Sequence, residues 1–331
     1  MGARKRRGAG RDGAGSGRAA MSPRRSAFID IGTNTILCLI AEIRDTGRFR
    51  VLDDLAEIAG LGKGVDQTGS ISAEGEQRAL AVLERYLEHC KNLGVKELSA
   101  VGTSALRDAR NSAEVRARYR AKLGLEIRVI SGDEEAAYSF LAVERGLGLA
   151  GRELLVVDVG GGSTEFIRGN AAGVLAAVSI DVGSVRLTER YVHSDPVQAA
   201  EVERMYTAID DALDGLQARG IRAQGPLMMV GIAGTFTTLA AMEKQLARYS
   251  HGEVHGSRLT LEQVRCQSRT LQQKSIAERQ RLVGLEAKRA DVIFAGACLV
   301  ESILTRFEAD AVIVSDQGVR YGLLHEAAKA L

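Results

Sequence analysis

Two segments of the chain repeat the same order of residue types, and that order suits the binding of phosphate and a metal ion. Residues 28–35 and 155–164 each form an apolar run that ends in Asp, a β-branched residue and Gly, followed by a short polar or glycine-rich loop. The apolar runs predict buried strands that turn at the glycine. An aspartate at the end of a buried strand is costly unless it meets a cation or hydrogen-bond donors. We therefore predict that Asp30 and Asp158 bind Mg²⁺, with Mn²⁺ as the other suitable metal, and that Glu165 holds a metal-bound water.

Three loops are predicted to bind phosphate through their backbone N–H groups. A third loop, residues 231–235, also follows a predicted strand, and it leads into a helix N-terminus. A glycine run alone is equally typical of a tight turn, but three such loops together favour phosphate. The chain has no G-x-x-x-x-G-K-[ST] motif and is not a P-loop protein. The predicted phosphate-binding residues of the loops are Gly32, Thr33, Asn34, Thr35, Gly160, Gly161, Gly162, Ser163, Thr164, Gly234 and Thr235.

Further charged residues are compatible with two interpretations. Glu134 and Glu135 open a predicted helix, where acidic residues ordinarily interact with the helix dipole. If one of them faces a cleft, it could instead deprotonate a water. Arg107 follows a strand end and could reach a phosphate chain, although an isolated arginine is more often a surface residue. His251 and His255 do not form an H-E-x-x-H motif, so zinc is not predicted.

The predicted elements repeat in two halves. Each half reads as strand–strand–strand–helix–strand–helix, and the pattern restarts near residue 150. Asn111 to Glu114 has the spacing of a capping box at the start of a helix. This layout predicts an α/β, duplicated actin-like ATPase fold (ribonuclease H-like) with the active site in the cleft between two domains. The predicted domains are residues 26–149 and 150–316, and a terminal helix at about 317–331 is expected to pack on the first.

Composition limits the class of protein and its partners. The chain has 331 residues, of which 45% are hydrophobic and 26% charged, enough for two domains with buried cores. Residues 1–25 form a predicted disordered basic tail, and Met21 is a candidate start within it. The remainder is mildly acidic, so a polyanion must bind in a local groove and no specific nucleic acid partner is expected. The four scattered cysteines predict reduced thiols and a cytoplasmic protein, and no apolar stretch is long enough to span a membrane.

The order and spacing of these motifs resemble the exopolyphosphatase/guanosine pentaphosphate phosphatase (Ppx/GppA) family over about residues 26–328. Residues 102–107, 130–136 and 315–322 resemble further motifs of that family. The resemblance implies that Glu135 is the general base, that Glu165 positions water or metal, and that Asp30 and Asp158 bind Mg²⁺. It also implies that Arg107 lies in the substrate channel and that the protein is a homodimer. The chain resembles the short form, without the C-terminal helical (HD-like) domain of long members, and Gln317 stands where the family pattern has Gly.

The resulting hypothesis is an exopolyphosphatase that releases terminal orthophosphate from inorganic polyphosphate with Mg²⁺. Three alternatives stay open. The same chemistry could act on the 5′ end of guanosine pentaphosphate, since both substrates end in a phosphoanhydride. A kinase of the same fold would need an acceptor site with an aspartate base and an adenosine pocket. A non-catalytic sensor would bind polyphosphate or the alarmone without turnover.

Overall fold

The structure, a computed structural model, describes residues 24–44, 46–222 and 228–329. The predicted basic tail therefore lies outside the described residues except for Arg24 and Arg25, which begin the first strand. Arg24 donates a hydrogen bond of 2.9 Å to Glu97 on a neighbouring strand. Strand β1 thus begins two residues before the predicted boundary at residue 26.

Five strands form a mixed sheet in the N-terminal half. They are Arg24–Ile31 (β1), Thr35–Ile43 (β2), Phe49–Ile58 (β3), Glu97–Gly102 (β4) and Ile127–Val129 (β5). The order is β3-β2-β1-β4-β5, with β1 to β3 antiparallel and β4 and β5 parallel to β1. Ile29 and Ile31 pack into one core and Phe28 into another. Strand β1 is therefore covered on both faces, which explains its continuous apolar sequence.

Five helices accompany this sheet. They are Val65–Thr68 (α1), Ala73–Asn92 (α2), Ser104–Asp108 (α3), Ser112–Leu123 (α4) and Gly132–Gly146 (α5). Helix α5 begins with a capping box in which Ser131 and Glu134 bond reciprocally to each other's backbone. The capping box predicted at Asn111 is wrong. The Asn111 side chain instead makes two 2.9 Å hydrogen bonds to the backbone of Ile71, a tertiary contact that replaces the cap.

A second, six-stranded sheet follows in the C-terminal half. Its strands are Leu154–Val159 (β6), Thr164–Asn170 (β7), Gly173–Ile180 (β8), Met228–Ile232 (β9), Arg258–Thr260 (β10) and Ala311–Val314 (β11). The order is β10-β11-β9-β6-β7-β8. Strands β6 to β8 are antiparallel and β9 is parallel to β6, as β4 is to β1. Asp30 and Asp158 therefore occupy equivalent strand ends, and the predicted duplicated α/β fold is confirmed.

The helices of the second half are Ser184–Tyr191 (α6), Ala199–Asp214 (α7), Ala233–Glu243 (α8), His251–Val254 (α9), Leu261–Gln272 (α10), Ile276–Arg279 (α11), Ile293–Arg306 (α12) and Val319–Lys329 (α13). Helix α6 and strand β10 were not predicted from the sequence. None of the helices in the described ranges is both long and apolar enough to cross a membrane.

Helix α5 joins the two halves. Its Ala142 packs into the core of the first sheet, with Phe28 and Leu39. Its Phe140 packs into the core of the second sheet, with Val156. Helix α13 lies against α5, β1 and β2, so the chain returns to the first sheet at its described end.

Candidate active site

A cavity of about 590 Å³ is lined by residues from both halves of the chain. It brings together most of the residues that the sequence analysis singled out. Those that line it are Asp30, Gly32, Thr33, Asn34, Thr35, Glu135, Asp158, Gly160, Gly161, Ser163, Glu165, Gly234 and Thr235. The predicted residues outside the lining are Arg107, Gly162 and Thr164. Arg107 contacts Glu135. The carbonyl of Gly162 and the hydroxyl of Thr164 form hydrogen bonds with other parts of the chain.

The loop after β1 is fastened through its carbonyl groups. Thr33 O accepts a hydrogen bond of 2.8 Å from Gly62 N, and Asn34 O accepts bonds from Ala59 N and Gly60 N. In a trans peptide the C=O and the following N–H point in opposite directions. Because the Thr33 carbonyl points toward residue 62, the N–H of Asn34 points away from it. The backbone geometry thus suits anion binding.

The glycine loop after β6 is held in the same way by the start of α6. Gly160 O accepts from Ser184 N at 3.0 Å, and Gly161 O accepts from Val185 N at 2.9 Å. Within the described ranges, no group accepts a hydrogen bond from the N–H groups of Gly161 and Gly162. These donors are therefore available to phosphate oxygens. Thr164 behaves differently from the prediction, since it is fully buried and its hydroxyl donates to Val182 O at 2.6 Å.

The third loop places the N-terminus of α8 at the cavity. Ala233 begins this helix in the left-handed region, at φ 69°, a conformation that non-glycine residues seldom adopt and that recurs at functional sites. Gly234 and Thr235 follow at the cavity wall. The hydroxyl of Thr235 donates to Val159 O at 3.2 Å, which ties the third loop to the strand that carries Asp158.

Four carboxyl groups line this cavity, and the charges of the others contribute to the raised pKa of three of them. Burial raises the pKa of Asp30 to about 7, with the charge of Glu135 as the second cause. Burial raises the pKa of Glu165 to about 8, again with Glu135 as the second cause. The pKa of Asp158 is raised well above its usual range by burial and by the charges of Glu165, Glu135 and Asp30. Such a set of mutually repelling acids is stabilised by a cation.

Asp30 and Asp158 fit a divalent metal of the magnesium type. The Oδ1 atom of Asp30 is buried, and no group in the described part of the chain forms a hydrogen bond with it. No three His, Cys, Asp or Glu side chains in residues 24–44, 46–222 and 228–329 are arranged to hold a metal by themselves. Mg²⁺ does not need such a cluster, because it usually keeps several waters and binds one or two carboxylates together with substrate phosphates. The orphaned oxygen and the repelling charges thus suit an ion shared with a substrate.

Glu135 lies at the N-terminal turn of α5 and is almost fully buried. Arg107 Nη1 donates a 2.8 Å hydrogen bond to its Oε2 and also binds Ile130 O at 3.2 Å. Burial raises the pKa of Glu135, while the bond from Arg107 opposes that rise. Glu134, its neighbour, instead forms an ion pair with Arg128 and bonds the backbone N–H of Ser131. The structure therefore assigns the capping interpretation to Glu134 and places Glu135 at the cavity.

Two contacts at the cavity were not predicted from the sequence. Arg289 Nη2 donates to Thr35 Oγ1 at 3.1 Å, and a Cβ on Gly234 would lie 2.2 Å from Arg289 Nη1. This cation therefore lies between the first and third loops. Ser179 Oγ donates to Glu165 Oε1 at 2.8 Å and orients that carboxyl group. Neither residue stands in a motif, and Arg289 is 254 positions from Thr35, so no local signal could have identified them.

The cavity lining is not limited to the loops and carboxyl groups. It includes apolar and aromatic side chains, among them Leu246, Tyr249 and Leu285. Thr237 and Glu286 add polar groups to it. A phosphate chain makes no favourable contact with apolar side chains, whereas a ring system attached to such a chain can pack against them.

The chain is similar to known proteins over most of its length. The family model described as "Ppx/GppA phosphatase family" matches residues 39–331. Exopolyphosphatase 2 of Mycobacterium tuberculosis is 34% identical over 92% of this chain and 98% of its own length. The bifunctional 3-dehydroquinate synthase/phosphatase of Fusobacterium nucleatum is 31% identical over 91% of this chain, which spans only 46% of that relative. Guanosine-5′-triphosphate,3′-diphosphate pyrophosphatase of Vibrio cholerae is 28% identical over 94% of this chain and 61% of its own length.

Solved structures agree with the fold. The crystal structure of the Aquifex aeolicus member of the Ppx/GppA protein family matches with a TM-score of 0.76 and 34% identity, over 93% of this chain and 98% of that one. A nucleoside triphosphate hydrolase of Neospora caninum matches with a TM-score of 0.51 at 12% identity, over 93% of both chains. At that identity the second likeness concerns the fold alone.

Proposed function

The chain belongs to the Ppx/GppA phosphatase family, and from that premise we propose that it hydrolyses the terminal phosphoanhydride of inorganic polyphosphate. The observation that carries the proposal is the meeting of four buried carboxyl groups with three loops that present backbone N–H groups to one cavity. Hydrogen-bond donors that bind anions lie with carboxyl groups in one cleft. This combination suits a negatively charged substrate that binds together with a divalent cation.

The loops bind the last phosphates of the chain. The N–H groups of Asn34, Gly161 and Gly162 donate to phosphate oxygens, and Arg289 adds a cation beside Thr35. These donors are fixed before the substrate arrives because their carbonyl partners are already bonded. Fixed donors stabilise the charge that spreads over the phosphoryl oxygens in the transition state.

Glu135 activates the water. One of its oxygens is bound by Arg107, which fixes the orientation of the carboxylate. A pKa raised by burial makes it a stronger base than a solvated glutamate. As the water oxygen bonds to the terminal phosphorus, Glu135 accepts a proton from that water. The bond from phosphorus to the bridging oxygen breaks, and the products are orthophosphate and a chain shorter by one phosphate.

Asp30 and Asp158 would hold Mg²⁺, with Glu165 at a metal-bound water. The ion supplies charge neutralisation for the phosphate oxygens. Ser179 donates a 2.8 Å hydrogen bond to Glu165 that opposes the rise of its pKa, although burial still brings that pKa to about 8. A bound cation would lower the pKa further and stabilise the ionised acid.

Guanosine pentaphosphate is the second candidate substrate. The observation in its favour is the presence of apolar and aromatic side chains in the cavity lining, namely Leu246, Tyr249 and Leu285. A nucleoside attached to the phosphates could pack there. Polyphosphate stays the first candidate because the exopolyphosphatase relative matches nearly its whole length, at higher identity than the guanosine pyrophosphatase relative.

The decisive experiment measures orthophosphate release with Mg²⁺ from tripolyphosphate, long polyphosphate, guanosine pentaphosphate and ATP. Release from the polyphosphates that is lost in Glu135→Gln would support the first candidate. Release from guanosine pentaphosphate alone would move the function to alarmone hydrolysis. Binding of all four without any release would contradict an enzyme and support a sensor. Transfer from ATP to an added sugar would identify a kinase.

The finer expectations on partners and location belong to the same proposal. We propose a cytoplasmic homodimer without a specific nucleic acid partner, on the family resemblance and the mildly acidic charge of residues 26–331. Sedimentation of the purified protein would test the oligomeric state.

A further inference from the structure

Arg186, in the first turn of α6, contacts the glycine loop and the opposite half of the molecule at once. Its Nε donates a 2.8 Å hydrogen bond to Gly162 O. Its Nη1 donates to the carboxylate of Asp66 in α1, and its Nη2 lies 3.6 Å from Asp108 at the end of α3. A single guanidinium thus joins a phosphate-binding loop to two acids of the N-terminal half.

The contact with Gly162 controls the direction of a phosphate donor. The carbonyl of Gly162 and the N–H of Ser163 belong to one trans peptide, so they point in opposite directions. Ser163 lines the cavity, and within the described part of the chain no acceptor is bonded to its N–H. While Arg186 holds the carbonyl away from the cavity, that N–H points into it. The carbonyls of Gly160 and Gly161 are held by backbone N–H groups instead, so Gly162 is the position that depends on a side chain.

The contact with Asp66 depends on closure of the cleft. Asp66 is only 12% exposed and accepts hydrogen bonds from Arg186 and, at 2.6 Å, from Arg190 Nη2. Glu189 Oε1 accepts from Gly64 N at 2.9 Å in the same interface. These bonds all cross between α1 and α6. If the two halves separate, Arg186 loses both acids and becomes free to turn toward water.

We propose that Arg186 is a positioning residue that makes the phosphate-binding shape of the glycine loop depend on closure of the cleft. The proposal rests on the proposed function, since it concerns the same loop and the same phosphates. With the halves together, the guanidinium is fixed by Asp66 and Asp108 and fixes the Gly162–Ser163 peptide. With the halves apart, that peptide loses its partner and can rotate, which removes one donor from the phosphate. Substrate binding and closure therefore favour each other.

Arg190 provides a matched control within the same helix. It binds Asp66, as Arg186 does, but makes no hydrogen bond to the glycine loop. Arg190→Ala therefore weakens the contact across the cleft and leaves the loop contact in place. Arg186→Lys keeps the charge but lacks the planar fork that reaches loop and acid together. The two variants separate positioning of the loop from the ion pair and from charge alone.

The experiment measures binding of inorganic tripolyphosphate by calorimetry and its hydrolysis at saturating Mg²⁺. Arg186→Ala should raise Kd and KM about tenfold or more, the usual effect of losing a charge-assisted hydrogen bond. Arg186→Lys should stay within about threefold of Arg186→Ala, while Arg190→Ala should stay within about threefold of the wild type. Asp66→Asn should raise Kd on its own and change it little when Arg186 is already Ala, because both act through one contact.

Several results would overturn this role. Equal losses of affinity in Arg186→Ala and Arg190→Ala would show that Arg186 contributes only an ion pair between the two halves. Wild-type affinity in Arg186→Lys would mean that charge alone matters. Circular dichroism would show whether Arg186→Ala folds. If it does not, the affinities of Asp66→Asn and Arg190→Ala for tripolyphosphate still test the proposal. Equal affinities of these two variants would contradict it. A wild-type protein that neither binds nor hydrolyses tripolyphosphate would instead overturn the proposed function itself.

Discussion

Arg107 and Glu135 form a 2.8 Å ion pair between helix α3 and the first turn of α5. The family resemblance implies two separate roles for them, a cation of the substrate channel and a base. The structure shows that they are one unit, in which the arginine orients the carboxylate and opposes the rise of its pKa caused by burial. A base must be both ionised and poorly solvated: burial supplies the poor solvation, and the arginine favours the ionised form.

Glu135→Gln should lower orthophosphate release by about two to four orders of magnitude, the usual contribution of a general base. The amide can still accept a bond from Arg107, so we expect tripolyphosphate binding to persist. Glu134→Gln is the matched control. Gln also completes a capping box, so this variant should keep near-wild-type activity. Similar losses in both variants would show that the helix terminus matters rather than the base.

Mg²⁺ should stabilise the protein through Asp30 and Asp158, and thermal unfolding can detect this without turnover. At a hundredfold excess over Kd, a ligand adds about 2.7 kcal/mol to the free energy of unfolding. We expect the wild type to gain several degrees in Tm with Mg²⁺ and lose the gain with chelator. Asp30→Asn and Asp158→Asn should abolish the gain, while Asp133→Asn, at an exposed position, should keep it. An unchanged gain in both buried variants would refute their role as ligands.

Gly183→Ala should disturb the glycine loop while leaving the cores intact. A Cβ there would lie 2.5 Å from Gly161 O and 2.8 Å from Gly162 N, both backbone atoms that cannot move independently of the loop. We expect a loss of about tenfold or more in tripolyphosphate affinity, since several fixed donors move together. Gly215→Ala is the control, because a Cβ at that position meets nothing within 4 Å. Calorimetry on both variants provides the comparison.

Stability should depend on pH through Asp316 and its two histidines. His251 and His255 bond to Asp316, which raises the pKa of both imidazoles. Burial alone would raise the pKa of Asp316, but the histidines hold it well below its usual range. Raised histidine pKa values stabilise the fold fully below about pH 6.5, and this contribution is lost as pH rises through the raised values. The carboxylate's own contribution is present above about pH 3.9 and is lost only as pH falls through its lowered folded value.

The destabilisation caused by Asp316→Asn should therefore be larger at pH 6 than at pH 9. Neighbouring Asp54, Arg320 and Tyr249 also influence these groups, so the difference between variant and wild type is the informative quantity. Thermal unfolding at both pH values would measure it. A difference in Tm that is the same at both pH values would contradict the prediction.

Much of the fold and the outline of the site could be predicted from sequence because the signals are local. An apolar run ending in Asp and Gly identifies a buried strand and its loop, and two such runs identified the duplication. Asp30, Asp158 and the glycine loop are each defined by their immediate neighbours. The assignment of Glu135 over Glu134 needed the resemblance, because both residues satisfy the same helix-start pattern.

The remaining features depend on residues far apart in the chain. The role of Arg186 depends on its contact with Asp66, 120 positions away, and the role of Arg289 depends on its contact with Thr35. Asn111 begins a sequence with capping-box spacing, but its side chain forms a hydrogen bond with the backbone of Ile71 instead. Local propensity does not determine whether a side chain bonds to a nearby group or to one that is distant in the sequence. Thr164 illustrates a related effect, since its hydroxyl donates to the backbone of Val182 and the residue does not line the cavity.

Helix α5 packs on one sheet through Ala142 and on the other through Phe140, and Glu135 lies in its first turn. If the angle between the sheets changes by rotation about this helix, the loops that follow β1 and β6 are displaced more than Glu135, because Glu135 lies on the helix itself. The proposed base would then keep its position while the proposed phosphate-binding loops move relative to each other.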